Sequence, residues 1–161
     1  MLLLVCSDSH GNTSNLRRAV SEAAPDRVLF LGDGVRDAAR VAREFPELPF
    51  QILRGNCDHD DTEHEDSALF TLEGVRIFAA HGHRHGVKYG LDAFTNSVCC
   101  ANAAIGLYGH THRALARFTE GVTLLNPGSI GNRVSPTYAL VELKNGAYDC
   151  KIVDILPENR G

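Results

Sequence analysis

Seven polar residues stand at the ends of apolar runs or just beyond them. They are Asp8 and His10 in SDSHGN, Asp33 in LGD, Asn56 in RGNCD, His81 in HGH, and His110 and His112 in GHTH. Hard and borderline divalent metals accept this mixture of carboxylate, amide oxygen and imidazole. Asp8 and His10 are two residues apart at an expected strand end, where a bend can turn both inward, and His110 and His112 repeat that spacing. Seven donors are too many for one tetrahedral site; they suit two ions sharing a bridging carboxylate. The stretch LRGNCDHD at 53–60 adds a thiol. By itself it allows Cys57 to be a nucleophile, a metal ligand or neither.

These residues need elements to carry them. LLLVCS is a short apolar run that stops at DSHGN, and Asn12 or Ser14 can cap the helix NLRRAVSEAA that follows. RVLFLGD repeats the pattern, VRDAARVAREF is a second helix stopped before Pro46, and FQILRGNCD is a third strand. This alternation predicts a βαβαβ unit with a mostly parallel sheet, whose strand ends gather on one edge where α/β proteins bind ligands. In the second half, ALFTLEGVRIFAAHGH reads as two strands around a Glu73-Gly74 turn, Leu91 to Ala104 as a helix, and AIGLYGHTH as a strand running into a polar loop. RALARFTEGVTLLNPGS, TYALVELKNG and AYDCKIVDIL read as strands joined by hairpins, with Asn145-Gly146 a tight turn. Two packed sheets with helices outside follow. No linker, internal repeat or low-complexity segment interrupts the pattern.

The 161 residues, 43% of them hydrophobic, suffice for one domain with its own core. A formal charge of −4 gives no general reason to bind nucleic acid or an acidic membrane. No apolar run reaches membrane-spanning length. MLLLVCSD lacks a positively charged start, so it reads as a first core strand rather than a secretion signal. The five cysteines show no disulfide or zinc-finger spacing. Cys6, Cys99, Cys100 and Cys150 read as buried free thiols of a cytoplasmic protein.

DSH, GD, GNCD, HGH and GHTH occur in the order and rough spacing of the calcineurin-like metallophosphoesterase superfamily. With its short chain and its GNCD form, the sequence resembles the small bacterial and archaeal phosphodiesterase group from Leu2 to about Ile155. NPGS at Asn126 to Ser129 matches a loop of that group. The resemblance implies one metallophosphoesterase domain over 1–161, an αββα sandwich of two mixed sheets flanked by helices, with a binuclear centre at the strand ends. Carried over by position, Asp8, His10, Asp33 and His112 bind one metal. Asp33 bridges to the second, completed by Asn56, His81 and His110. All seven are then the catalytic set. Manganese is the expected ion, with nickel, cobalt, iron or zinc as alternatives. Two metals about 3.5–4 Å apart can bridge a water and lower its pKa. The implied reaction is in-line attack of that bridging hydroxide on a phosphodiester, in a small molecule or nucleotide. A phosphomonoesterase or nucleotide phosphatase on the same centre is one alternative. Another is a non-enzymatic scaffold, for which a retromer subunit of this fold gives precedent. A homo-oligomer is compatible with so small an enzyme.

Against that pattern Cys57 is not needed as a nucleophile. Larger members carry a histidine there that protonates the leaving group, so a general acid is missing and His59 is its weak local substitute. His83 is expected to touch phosphate or orient His81, and His85 to lie at the surface or in a loop. Arg84 and Arg133 are solvated arginines within possible reach of phosphate. DHDDTEHEDS reads as a solvated acidic loop that rims the pocket and repels highly anionic substrates. Asp33 doubles as a possible helix cap. NPGSIG either donates backbone N–H groups to phosphate or simply closes a strand.

Overall fold

The computed structural model describes residues 1–156. β1 (Leu2–Cys6) is apolar on both faces because both are covered. Leu3 and Val5 point into the space between two sheets, whereas Leu4 and Cys6 pack against helices. β2 (Arg27–Phe30) and β3 (Phe50–Ile52) run parallel to β1. The crossovers are α1 (Thr13–Ala23) and α2 (Val35–Glu44). Leu16, Ala19 and Val20 of α1 and Ala38 and Val41 of α2 bury their faces on this sheet. Of the two candidate caps, Asn12 accepts the Asn15 N–H and starts α1. β9 (Thr137–Lys144) and β10 (Ala147–Asp154) add antiparallel strands, giving the order β10-β9-β1-β2-β3.

The second sheet has the order β4-β5-β6-β8-β7, formed by β4 (Ser67–Leu72), β5 (Val75–Ala80), β6 (Ile105–Leu107), β7 (Leu115–Thr119) and β8 (Val122–Asn126). β5, β6 and β8 are parallel, and the outer strands antiparallel. The expected turns at Glu73-Gly74 and Asn145-Gly146 both take positive φ, as a tight hairpin requires. α3 (Asp92–Cys100) covers the outer face through Phe94 and Val98. It is shorter than the expected Leu91–Ala104. Asn102 at φ 51° turns the chain left-handed, and the Ala103 N–H closes back on the Val98 carbonyl.

Leu3, Val5, Leu29, Leu31, Ile77, Ile105, Leu107, Leu125 and Val141 fill the layer between the sheets. Each such side chain contributes about 1.5–3 kcal/mol on burial. The result is the expected four layers, helices–sheet–sheet–helix. Among the described residues, no helix is long and apolar enough to cross a membrane.

Candidate metal centre

All the parallel strands deliver their C-terminal loops to one edge of the sandwich. The loops after β1 and β2 are tied by bonds from Asp8 N–H to Gly32 O (2.9 Å) and from His10 N–H to Asp33 O (3.3 Å). Asp8, His10, Asp33, His110 and His112 all have positive φ, between 44° and 66°. For L-residues that region costs about 1–2 kcal/mol each, and Asp and His are among those found there most often. The reversal turns each side chain off its strand direction, into the space between the loops.

There the seven expected residues converge in two overlapping groups. In one, Asp8 Oδ1 lies 3.1 Å from His112 Nε2 and 3.8 Å from His10 Nε2, and the two imidazole nitrogens face each other at 3.2 Å. In the other, His81 Nε2 lies 3.1 Å from Asn56 Oδ1 and 3.3 Å from Asp33 Oδ2. His110 joins Asp33 and His81 with donor atoms within 4.8 Å of one another. Asp8 Oδ1 is also 3.9 Å from His81 Nε2, so the groups adjoin.

This arrangement fits divalent cations. Asp8 is fully buried and its Oδ1 has no hydrogen-bond partner. Such an oxygen is costly unless a cation meets it. His81 Nδ1 lies 2.9 Å from the Leu31 carbonyl, which can only accept, so Nδ1 carries a proton. In the neutral ring Nε2 then presents its lone pair to two oxygens, an arrangement that a positive charge resolves. Burial pulls the His81 pKa down, yet the Asp33 hydrogen bond and the Asp8 and Asp33 charges raise it overall. Burial likewise works against the Asp33 anion, but His81 and the Cys57 N–H hold its carboxyl well below the usual range. The close approach of the Asp8 carboxylate raises His112. His110 falls to about 4, chiefly through burial and then through the charges of His81 and Lys88.

Several supporting residues escaped the sequence reading. Asp58 does the capping expected of Asp33. Its Oδ2 accepts from Asp33 N and Gly55 N at 2.8 Å each, and its Oδ1 from Gly34 N and Val35 N at 3.0 Å each. One carboxylate thus fixes the loops after β2 and β3 and the start of α2. Asp37 on α2 accepts from Ser9 Oγ (2.5 Å) and Gly11 N (2.7 Å), holding the DSH loop from below. Buried Asn126 donates to Gly109 O and Thr111 Oγ1, both at 3.0 Å, and so braces the GHTH loop. Asp58→Asn puts an NH2 group against two N–H donors. It is expected to cost about 2 kcal/mol of stability and to weaken metal binding about tenfold. Calorimetric Mn2+ titration checks this, and an unchanged affinity would contradict the positioning role.

Other expectations are corrected or refined. The N–H groups of Ile130 and Gly131 are taken by Ser7 O and Asp8 O, and Ser129 Oγ donates to Asp8 O. NPGSIG therefore closes onto the DSH loop instead of offering those N–H groups to phosphate. His81 is oriented by Leu31 O, not by His83, whose ring lies 5.4 Å from it. His85 lies half-buried in the short turn after β5 and packs edge-on against Phe78 and Phe94. Arg84 pairs with Asp66 at 3.0 Å, and Arg133 lines a separate cavity beside Asn12 and Pro136. The acidic loop rims the cavity of about 410 Å³ next to His10 and Asp33, with His59 exposed on it. It is not evenly solvated, because Asp58, Asp61 and Asp66 have internal partners. Cys57 Sγ also lies within 4.8 Å of donor atoms of His10 and Asp33. Burial and the Asp33 carboxylate push its pKa up to about 11, so it is no activated thiolate. Of the four thiols expected to be buried, Cys6 is, Cys99 and Cys150 are partly so, and Cys100 is exposed.

Two mixed sheets packed face to face, with carboxylate, amide and imidazole donors gathered at their shared edge, define a metal-dependent phosphoesterase. The chain belongs to the calcineurin-like phosphoesterase superfamily, whose domain model matches residues 1–146. It is 31% identical to Bacillus subtilis "Probable metallophosphoesterase YsnB", over 96% of this chain and 91% of that one. It is 28% identical to Escherichia coli "Phosphodiesterase YfcE", over 81% and 79%. A predicted phosphoesterase from Streptococcus pneumoniae shares the fold, with a TM-score of 0.79, 24% identity and coverage of 95% and 88%. Entamoeba histolytica Vps29, in a structure with Zn2+, does so with a TM-score of 0.77, 20% identity and coverage of 96% and 99%.

Proposed function

We propose that this enzyme is a phosphodiesterase of small molecules or nucleotides, working as one domain in the cytoplasm with two divalent ions, Mn2+ foremost. The observation that carries the reading is the pair of adjoining donor groups around the unpartnered Asp8 Oδ1. Asp8, His10, His112 and Asp33 would hold one ion, and Asp33, Asn56, His81 and His110 the other. Ions bound there would supply an activated water and neutralise charge on the phosphoryl group. The protein's own part is positional. Leu31 O fixes the His81 tautomer, Asn126 holds the loop bearing His110 and His112, and Asp58 aligns Asp33 with Asn56. A diester brings one negative charge to a site already flanked by acidic residues, whereas a monoester dianion brings two. The relatives named phosphodiesterases support the same choice. A scaffold role, as in the Vps29 neighbours, would not require all seven donors to be kept.

The test compares bis(p-nitrophenyl) phosphate with p-nitrophenyl phosphate in Mn2+-loaded protein. The diester is expected to be the better substrate, and the reverse order would favour the monoesterase. Cys57→Ala keeps measurable diesterase activity, because the thiol is neither thiolate nor required donor. Asn56→Ala loses activity about 10–100-fold through weaker metal binding. Abolished turnover in Cys57→Ala with both ions bound would overturn this account of the thiol.

A further inference from the structure

Beside the donor cluster, bordering the GHTH loop, lies a second cavity of about 620 Å³. Its apolar wall is Val87, Leu91, Tyr108 and Leu115, and its charged groups are Lys88 and Arg113. Thr111, between His110 and His112, also lines it, so the cavity opens directly onto the GHTH loop. Neither the Lys88 ammonium nor the Arg113 guanidinium has an ion-pair partner among the described residues. The two flanks of the site are therefore opposite in character. The cavity beside His10 is lined by Asp37, Asp58, Asp60 and Asp61 with Arg36 paired to Asp60, whereas this one has those two unpaired cations beside apolar side chains. An anionic group is repelled by the first flank and attracted by the second.

We infer that the Lys88–Arg113 cavity is the subsite for one alcohol arm of the substrate, and that it takes an apolar or planar body carrying a second negative charge. This rests on reading the neighbouring site as a phosphodiesterase. Arms of that chemistry include nucleotide-like and carboxyaryl groups. A substrate lying this way places its scissile phosphate at the donor cluster and its further charge away from the acidic loop.

The experiment uses two p-nitrophenyl diesters with the same reporter arm, the other arm being phenyl or 4-carboxyphenyl. For the Mn2+-loaded protein, kcat/KM is expected to be about tenfold higher with the carboxylate. Lys88→Gln and Arg113→Gln each cut that ratio about threefold, and the double variant removes it. Calorimetric binding of 4-carboxyphenyl phosphate against phenyl phosphate reads the same preference without turnover. If the protein shows the binding preference but hydrolyses neither diester, the phosphodiesterase reading fails and the subsite stands. If it hydrolyses both diesters equally and binds both ligands equally, the subsite is overturned and the phosphodiesterase stands. A preference that persists in the double variant also overturns it.

Discussion

Asp8→Asn is expected to lower diesterase activity about a thousandfold or more, yet to leave the metal-free protein more stable than the wild type. Both effects come from one buried oxygen. Asp8 is fully buried, its Oδ2 accepts the His110 N–H at 3.1 Å, and its Oδ1 has no hydrogen-bond partner. Asparagine preserves the accepting oxygen and tolerates the left-handed backbone at φ 57°. Its NH2 group can donate to the ring nitrogen of His112, 3.1 Å from the carboxylate oxygen it replaces. A buried carboxylate oxygen with no hydrogen bond is thereby replaced by a donor that can meet His112, worth about 1–3 kcal/mol. The same change removes the charge that draws a cation in, and several kcal/mol lost from charge stabilisation in the transition state correspond to that rate. Thermal unfolding after EDTA treatment, Mn2+ titration and diester turnover give the three readings. A metal-free variant less stable than wild type would refute the claim that the aspartate is retained at a cost to folding.

Gly55→Ala is expected to cost about a hundredfold in activity without altering any donor. A Cβ at Gly55 overlaps Asp33 Oδ1 and stands 2.6 Å from Asp33 N. Asp33 cannot swing aside, since Oδ1 accepts the Cys57 N–H at 2.7 Å and Oδ2 faces His81. Nor can the Gly55 strand end retreat freely, because its N–H is bound to Asp58 and its backbone occupies the space a Cβ on Gly32 would need. The overlap is relieved by moving Asp33 about 1 Å, enough for such a loss of rate, with about 1–3 kcal/mol of overpacking. Gly90→Ala is the control: a Cβ there meets nothing within 4 Å, and its φ is not in the left-handed region. Wild-type metal affinity in Gly55→Ala would show that the loops after β2 and β3 are not in fact wedged.

The donor residues were readable in the sequence because each sits in a short motif at the end of an apolar run, and parallel strands must bring such ends to one edge. The two-sheet plan was readable from the switch between helix-separated strands and hairpins. What holds the donors was not. Asp58 looked like one acid among many in DHDDTEHEDS. Its role depends on the register that lays the loop after β3 against the loop after β2. Asp37 reads as an exposed-face helix residue until α2 is seen to lie under Ser9 and Gly11. Leu31, whose carbonyl fixes His81 fifty positions away, has no signature at all, because a backbone oxygen carries no residue identity. His85 differs in the opposite sense: nothing in the alternating run of histidines marks its last member as the one whose ring sets edge-on against Phe78 and Phe94.

The division of the donors between the two sheets has a consequence for the lifetime of the folded chain. Asp8, His10, Asp33 and Asn56 follow strands of the first sheet, and His81, His110 and His112 follow strands of the second. Neither half alone offers the full set, so an ion holding both is a cross-link between sheets that forms only when they have docked. Interactions made that late slow unfolding far more than they speed folding. An ion shared in this way would also add to stability with the logarithm of its free concentration above its Kd. Chelation would then be a kinetic event, in which the sandwich persists without bound metal but opens faster.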